Sequence, residues 1–303
     1  MDFPTTQLGF EQKFSTEELC VSYFVNIKFK DGFVCKKCEH DKYWLLSRRR
    51  VGCQKCKNKL SALSDTIFEQ SNKPLLLWFR VIWFMVAQKN GISASGLQRI
   101  MGFGSYRTAW TWLHKLRMVT VDSNRTKLSG SVEIDETLLG GKVSGKRGRG
   151  AEGKIVIVIA VEILGKGTGR VRLSYIEDAS RKSLKKFIAN NIEKGSELIT
   201  DGWKSYKEIV GYKHTIIHEG AADEEENLLP NVHRIASLLK RWLLGTHQNY
   251  ITGSKVQNYL DEFTFRYNRR KSNSRGLLFQ RVLEQIIAHN SITYANVSGN
   301  TDK

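Results

Sequence analysis

The amino-acid sequence predicts a mixed α/β domain that follows a small cysteine-rich module and a helical region. Two Cys-x2-Cys pairs lie in the first fifth of the chain, and a segment rich in Trp and Leu follows them. After residue 128, runs dense in β-branched residues, such as KIVIVIAVEI at 154–163, are interspersed with helical patterns. Strands followed by a helix, another strand and further helices indicate a mixed α/β domain.

The charge of the chain indicates a polyanionic partner. Its 303 residues contain 48 Lys and Arg against 30 Asp and Glu, a formal net charge of +18. An excess of this size is typical of proteins that bind nucleic acid. The most apolar stretch, residues 75–87, is too short to span a bilayer, and the first residues lack a secretory signal pattern. We therefore expect a cytoplasmic protein that associates with the nucleoid when it binds DNA.

Changes in composition divide the chain into four parts. We expect a cysteine module with an N-terminal helix at 1–66, a helical region at 67–125, an α/β domain at 128–290 and a flexible tail at 291–303. The polar run at 122–127 is typical of a linker.

The paired cysteines predict a zinc site. Cys35 and Cys38 are separated by 14 residues from Cys53 and Cys56, which is close to the spacing of four-thiolate zinc ribbons. Such a site stabilises a domain too small to have its own core, and it is compatible with DNA contact because cations surround it. Among these cations we predict DNA contacts for Arg48, Arg49 and Arg50.

The helical region matches a helix-turn-helix. Residues 75–87 form a first apolar helix, glycines at 91, 96, 102 and 104 mark turns, and residues 106–116 form a second helix, with Ser105 as a possible cap. The second helix of such a motif enters the major groove, so we predict that Arg107 and Lys115 contact DNA. An ordinary helical hairpin fits the same pattern.

Two aspartates follow predicted strands of the α/β domain. Asp135 comes after the strand at 131–134, and Asp201 comes after the strand at 197–200. Carboxylates that converge from two strands can bind Mg²⁺, the ion used in phosphoryl transfer. An aspartate at the end of a strand is, however, more often a turn residue or a helix cap.

The order of these motifs resembles a known family. The cysteine pairs and the helix-turn-helix are followed by VEIDETLLGGK, ITDGWKSY, LPNVHRIASLLKRWLLGTHQ and YLDEFTFRYNRR. From about Phe10 to Leu283, the chain resembles the zinc-ribbon-bearing insertion-sequence transposases with an ISXO-like DDE domain. The resemblance implies a ribonuclease-H-like fold in which Asp135 and Asp201 are the first two ligands of catalytic Mg²⁺ or Mn²⁺.

The third ligand position departs from the common pattern, which has Glu seven residues before a Lys. If Lys240 is that Lys, the residue at the Glu position is His233, and both lie on one helical face. Imidazole can bind Mg²⁺ or Mn²⁺ but favours softer ions than Mg²⁺. A degenerate, inactive copy is the alternative.

The resemblance implies a transposase that binds terminal inverted repeats of double-stranded DNA, cleaves the strand and transfers it to a target. Joining two element ends implies a homodimer or a larger assembly. The basic loop at 142–154, with Arg147 and Arg149, is either a DNA clamp or a mobile surface loop. The alternatives are an inactive or domesticated DNA-binding protein derived from a transposase and a nuclease without strand transfer.

Overall fold

The computed structural model describes residues 3–69, 71–122, 124–140, 155–217, 229–248 and 253–299. The first elements in chain order are α1 (Gln7–Lys13), α2 (Glu17–Lys28), β1 (Tyr43–Leu46), β2 (Arg50–Cys53), β3 (Lys59–Ser61), α3 (Leu75–Ala87), α4 (Ala94–Met101) and α5 (Tyr106–Met118). They are followed by β4 (Ser131–Leu139), β5 (Ile155–Leu164), β6 (Gly167–Ile176), α6 (Arg181–Asn191), β7 (Glu197–Asp201), β8 (Lys213–Ile217), α7 (Pro230–His247), α8 (Val256–Asn268), α9 (Arg275–Ala288) and α10 (Tyr294–Ser298). Short 3-10 helices lie at Lys204–Tyr206 and Gly253–Lys255.

The chain forms two compact units. Residues 1–122 and 272–303 form the first unit, and residues 123–271 form the second. In the described part of the chain, no helix combines the length and the apolar character that crossing a membrane requires.

The C-terminal helices belong to the first unit, although the sequence placed residues up to 290 in the α/β domain. The ring of Phe279 in α9 lies 5.4 Å from Phe10 and 5.1 Å from Phe79. This aromatic core buries the apolar face of α9. The tail expected to be flexible contains α10, because Thr293 and Asn296 form a capping box and Val297 is buried.

The cysteine module is a three-stranded antiparallel sheet in the order β1-β2-β3. The third strand has only three residues. Tyr43 is the register partner of Cys53, and Gly52 is the partner of both Trp44 and Lys59. This pairing brings the end of β2 beside the start of β1.

The helix-turn-helix consists of α4, a turn at 102–105, and α5. The sequence had given the role of first helix to residues 75–87, which form α3 instead. Ser93 caps α4, Gly102 ends it in the left-handed conformation with φ +63°, and Ser105 caps α5 as expected. The missed helix α4 is short and Gly-containing, so its local pattern was typical of a turn.

The second unit is a five-stranded mixed sheet in the order β6-β5-β4-β7-β8. Antiparallel pairing joins β6, β5 and β4, while β4, β7 and β8 are parallel. Helix α6 packs on one face of the sheet, and α7 and α8 pack on the other. This arrangement confirms the expected mixed, ribonuclease-H-like domain. The edge strand β8 was not predicted, and β4 continues five residues beyond its predicted end at Ile134.

Candidate active site and zinc-binding site

Asp135 lies within β4, not after it as the sequence indicated. The strand register pairs Ser131 with Glu197 and Glu133 with Ile199 in the parallel β4–β7 ladder. Two residues further along each strand are Asp135 and Asp201. Because side chains alternate along a strand, both carboxylates lie on the face of the sheet that α7 covers, on strands about 4.8 Å apart.

The first turn of α7 is held on β4 by Glu133. The residue before α7, Leu229, has no polar side chain to cap the helix. Instead, the Oε2 atom of buried Glu133 accepts hydrogen bonds from the backbone N–H groups of Asn231 at 2.9 Å and Val232 at 3.0 Å. Its Oε1 atom accepts from the side-chain amide of Asn231 at 2.6 Å. A carboxylate is favourable there because it satisfies helix N–H groups and interacts with the positive end of the helix dipole.

This attachment places His233 beside Asp135. The Nε2 atom of His233 lies 3.4 Å from the Oδ2 atom of Asp135, whose side chain is only 14% exposed. The imidazole itself is half exposed, so one side of the pair is open to solvent. Lys240 lies two helical turns further along α7 and is exposed.

A buried hydrogen bond supports the same region from the opposite face of the sheet. The Tyr206 hydroxyl, in the 3-10 helix after β7, donates to the Oε1 atom of Glu136 at 2.6 Å. Burial, with the nearby Glu136 carboxylate second, raises the pKa of Tyr206 well above its ordinary value, so the phenol stays protonated. The backbone N–H of Trp203 also donates to Asp201, at 3.1 Å. Sequence reasoning missed Glu133, Glu136 and Tyr206 as site residues, although two of them flank Asp135 in the VEIDET string.

The donor set suits a hard or borderline divalent cation, since it combines two carboxylates with an imidazole. A 3.4 Å separation between His233 and Asp135 is close to that of adjacent ligands on one octahedral ion. Within the described residues, however, only the cysteines bring three or more ligand atoms within 4.8 Å of one another. A shared ion therefore needs a side-chain adjustment of Asp201 or a bridging water molecule.

The four cysteines form a compact thiol cluster. The sulfur atoms of Cys35 and Cys56 lie 3.6 Å apart, as do those of Cys38 and Cys53, and all four lie within 4.8 Å of one another. A tetrahedral ion with Zn–S bonds of about 2.3 Å requires sulfur separations of about 3.8 Å. The described cysteines are free thiols. Their geometry therefore fits Zn²⁺.

Two matching turns build this cluster. The carbonyl of Cys35 accepts from the N–H of Glu39 at 2.9 Å, and the carbonyl of Cys53 accepts from that of Lys57 at 3.1 Å. Both Glu39 and Lys57 have φ near +58°, which closes each turn. The N–H of Lys37 directed at the sulfur is the main factor that lowers the pKa of Cys35 to about 6, while hydrogen bonding with the Cys56 sulfur is the main factor that raises the pKa of Cys38 to about 11. Cys35 is therefore the thiol in this cluster that more readily becomes the thiolate that binds metal.

The residues predicted to contact DNA have unequal exposure. Arg48, Arg50 and Arg107 are exposed. Arg49 is half-buried and donates to the backbone carbonyl of Lys73 at 2.9 Å, and Lys115 is half-buried beside the carbonyl of Ile67. Burial lowers the pKa of Lys115, which is unlike a freely solvated phosphate contact. Arg147 and Arg149 lie outside the described residues.

The fold and the two candidate sites define a protein with an N-terminal metal-binding ribbon and a ribonuclease-H-like domain with aligned carboxylates. Residues 127–268 match the ISXO2-like transposase domain, and residues 15–59 match the transposase zinc-ribbon domain. The chain therefore belongs to the insertion-sequence transposases that combine these two domains. It is also similar to an uncharacterized protein in transposable element ISH50 of Halobacterium salinarum, at 22% identity over 277 residues, covering 84% of this chain and 91% of that protein.

Proposed function

We propose that this transposase cuts the strand at the ends of an insertion sequence and joins the freed 3′ end to target DNA. Asp135, Asp201 and His233 would hold Mg²⁺ or Mn²⁺. Bound divalent ions activate a water or a 3′-hydroxyl and neutralise charge on the phosphate. The observation that carries the proposal is the 3.4 Å contact between His233 and Asp135, with Asp201 at the aligned position of the next strand.

The chain's own residues orient these groups. Glu133 fixes the first turn of α7, and so the distance of His233 from Asp135. The Tyr206–Glu136 hydrogen bond joins the segment after Asp201 to β4. Lys240 is exposed on α7 and would contact a phosphate of the bound strand.

DNA recognition is assigned to the first unit. The zinc ribbon, through Cys35, Cys38, Cys53 and Cys56, holds one Zn²⁺, and its exposed Arg48 and Arg50 contact the backbone of the terminal repeats. Arg107, at the start of α5, would reach base edges if α5 is the recognition helix of the helix-turn-helix. Joining two element ends requires two active sites, so we propose a homodimer or larger assembly on DNA.

A strand-joining assay tests the proposal. Purified full-length protein is incubated with labelled duplexes that carry the flanking terminal repeats, in Mg²⁺ or Mn²⁺. We expect joined products that disappear in Asp135→Ala and His233→Ala but persist in Glu177→Gln, which changes an exposed carboxylate of the same unit. Nicked ends without joined products would indicate a nuclease.

A DNA-binding protein without catalysis is the second candidate. A histidine at the third position and the lack of a compact three-ligand cluster there, among the described residues, favour it. Repeat-specific binding with no cleavage in either metal would establish this alternative.

A further inference from the structure

We propose that the outer face of the ribbon sheet is a platform for an unpaired DNA base, which stacks on Trp44 while Arg50, Lys57 and Lys59 contact the adjoining phosphates. We call this surface the Trp44 platform. The inference rests on the proposed function, since it names the form of DNA that one transposase surface would hold.

The two faces of the ribbon sheet differ in their environment. On the inner face, the Tyr43 ring lies 5.2 Å from the rings of both Phe29 and Phe33, and Val51 is fully buried. Side chains alternate along β1, so Trp44 lies on the opposite face. There the indole remains 44% exposed.

The strand register leaves the Trp44 ring partly exposed. Gly52 is the register partner of Trp44 on β2, and Lys59 is the partner of Gly52 on β3. Gly52 has no side chain to cover the indole. A Cβ atom at this position would lie 2.9 Å from the Cδ1 atom of Leu46, so the Leu46 side chain fills the space over Gly52. Trp44 and Leu46 therefore lie on the same face, and the Trp44 ring remains partly exposed beside Leu46.

Cations lie on the same part of the sheet. The Nζ atom of Lys57 lies over one face of the Trp44 ring, 3.9 Å from its centroid, and donates to the carbonyl of Gln54 at 2.9 Å. A base that stacks on this face takes the place of Lys57, whose ammonium is then available to a phosphate, and Arg50 and Lys59 are exposed. The sequence from 43 to 61 has six Lys or Arg and no Asp or Glu. This charge fits a phosphate backbone. An exposed aromatic ring among cations is the arrangement that binds single strands, because every base has a stacking face.

The ring distinguishes unpaired from paired DNA. Bases inside a duplex already stack on both neighbours, so a flap or a single strand offers many more free base faces to Trp44 than a blunt duplex, which has one at each end. Strand cleavage at an element end leaves a free strand end, and a nucleotide that frays from this end offers an unpaired base. The Trp44 platform would therefore hold a strand next to the cut.

The test compares two substitutions on one strand. Leu45 is exposed to a similar extent, 42% against 44%, but lies on the other face of β1, so Leu45→Ala is the matched control for Trp44→Ala. Binding of the zinc-loaded full-length protein is measured by fluorescence anisotropy, with a labelled single-stranded oligonucleotide and a blunt duplex of the same sequence. We expect Trp44→Ala to weaken single-strand binding about tenfold, with Trp44→Phe close to the unmodified protein. Lys57→Gln should reduce the salt dependence of the same affinity.

Three outcomes would overturn the Trp44 platform: equal effects of Trp44→Ala and Leu45→Ala, an equal loss for single strand and blunt duplex, or a change in self-association instead of DNA affinity. Zinc content and circular dichroism establish that each variant is folded. If the protein bound no DNA of either form, the proposed function itself would fail. If it bound and joined element ends while Trp44→Ala behaved as the control, only the Trp44 platform would fail.

Discussion

The imidazole of His233 lies 3.4 Å from the carboxylate of Asp135, although 97 residues separate them in sequence. The contact depends on Glu133, two residues before Asp135 on β4, which binds the first N–H groups of α7. One strand therefore supplies both a candidate metal ligand and the group that positions its neighbour.

Replacing Glu133 should weaken both the fold and the site. Glu133→Ala removes the acceptor of three hydrogen bonds at the start of α7, and we expect a loss of about 2–3 kcal/mol in the free energy of unfolding. Metal-dependent strand joining should fall as well, because His233 is no longer held beside Asp135. Denaturant unfolding and the joining assay measure the two effects. Glu177→Gln should change neither; an unaltered Glu133→Ala protein would contradict the positioning role.

The identity of the third ligand should set the metal preference. Imidazole favours softer ions than Mg²⁺, while a carboxylate suits Mg²⁺. We therefore expect His233→Glu to raise the ratio of activity in Mg²⁺ to activity in Mn²⁺, and His233→Ala to lose activity in both. Initial rates across a concentration series of each ion give this ratio. An unchanged ratio in His233→Glu would exclude His233 as a ligand.

Removing the Tyr206 hydroxyl should make the positions of the Asp135 and Asp201 carboxylates less well fixed. Tyr206→Phe deprives Glu136 of its 2.6 Å donor in a buried setting, and we expect a loss of about 1–2 kcal/mol of stability together with weaker Mn²⁺ binding. Tyr212→Phe is the control, since it removes a hydroxyl that donates to the carbonyl of Ile192 at 3.1 Å and not to Glu136. Calorimetric titration with Mn²⁺ measures the affinity of each variant, and we expect the affinity of Tyr212→Phe to equal that of the unmodified protein. If both variants bound Mn²⁺ equally well, the Tyr206 hydroxyl would have no part in supporting the metal site.

Asp261 should make the stability of the protein depend on pH. Burial raises the pKa of Asp261 to about 6, against about 3.9 in an unfolded chain. The folded state therefore favours the protonated form, and this contribution is lost as pH rises from about 4 through 6. We expect Asp261→Asn to stabilise the protein by up to about 3 kcal/mol at pH 8 and by little at pH 4, measured by unfolding at each pH.

Replacing Asp178 by Asn should change the stability at pH 8 in the opposite direction to Asp261→Asn. Hydrogen bonds from the Ser180 and Ser183 side chains lower the pKa of Asp178, so its ionised form is favoured in the folded state. Asp178→Asn should therefore destabilise the protein at pH 8. If both variants shifted stability in the same direction at pH 8, the assigned environments of the two carboxylates would be wrong.

The sequence indicated the candidate metal ligands more reliably than the residues that hold those ligands in position. The Cys pairs and the Ser105 cap depend on local spacing, and α5 begins at Tyr106 with the Ser105 side chain bound to the N–H of Arg107 as expected. Glu133 was missed because a glutamate within a strand has no local feature that indicates a helix cap 98 residues away. Strand β8 was missed because its five residues, KHTII, carry little alternation.

The sequence also has no local feature that indicates which unit α9 belongs to. Its amphipathic pattern fits a helix against either unit, and only the contacts of Phe279 with Phe10 and Phe79 assign it to the first. The sequence placed Asp135 after its strand because the predicted strand ended at Ile134. In the structure, Glu136 and Thr137 pair with β5, so β4 continues beyond Asp135.

The most direct test of the account is a crystal structure of the protein with Mn²⁺, in which anomalous scattering locates the ion. We predict a peak bonded to carboxylate oxygens of Asp135 and Asp201 and to the Nε2 atom of His233, at about 2.2 Å, and no such peak in Asp135→Ala. A peak elsewhere, or none at Mn²⁺ concentrations that support strand joining, would contradict the proposed metal site.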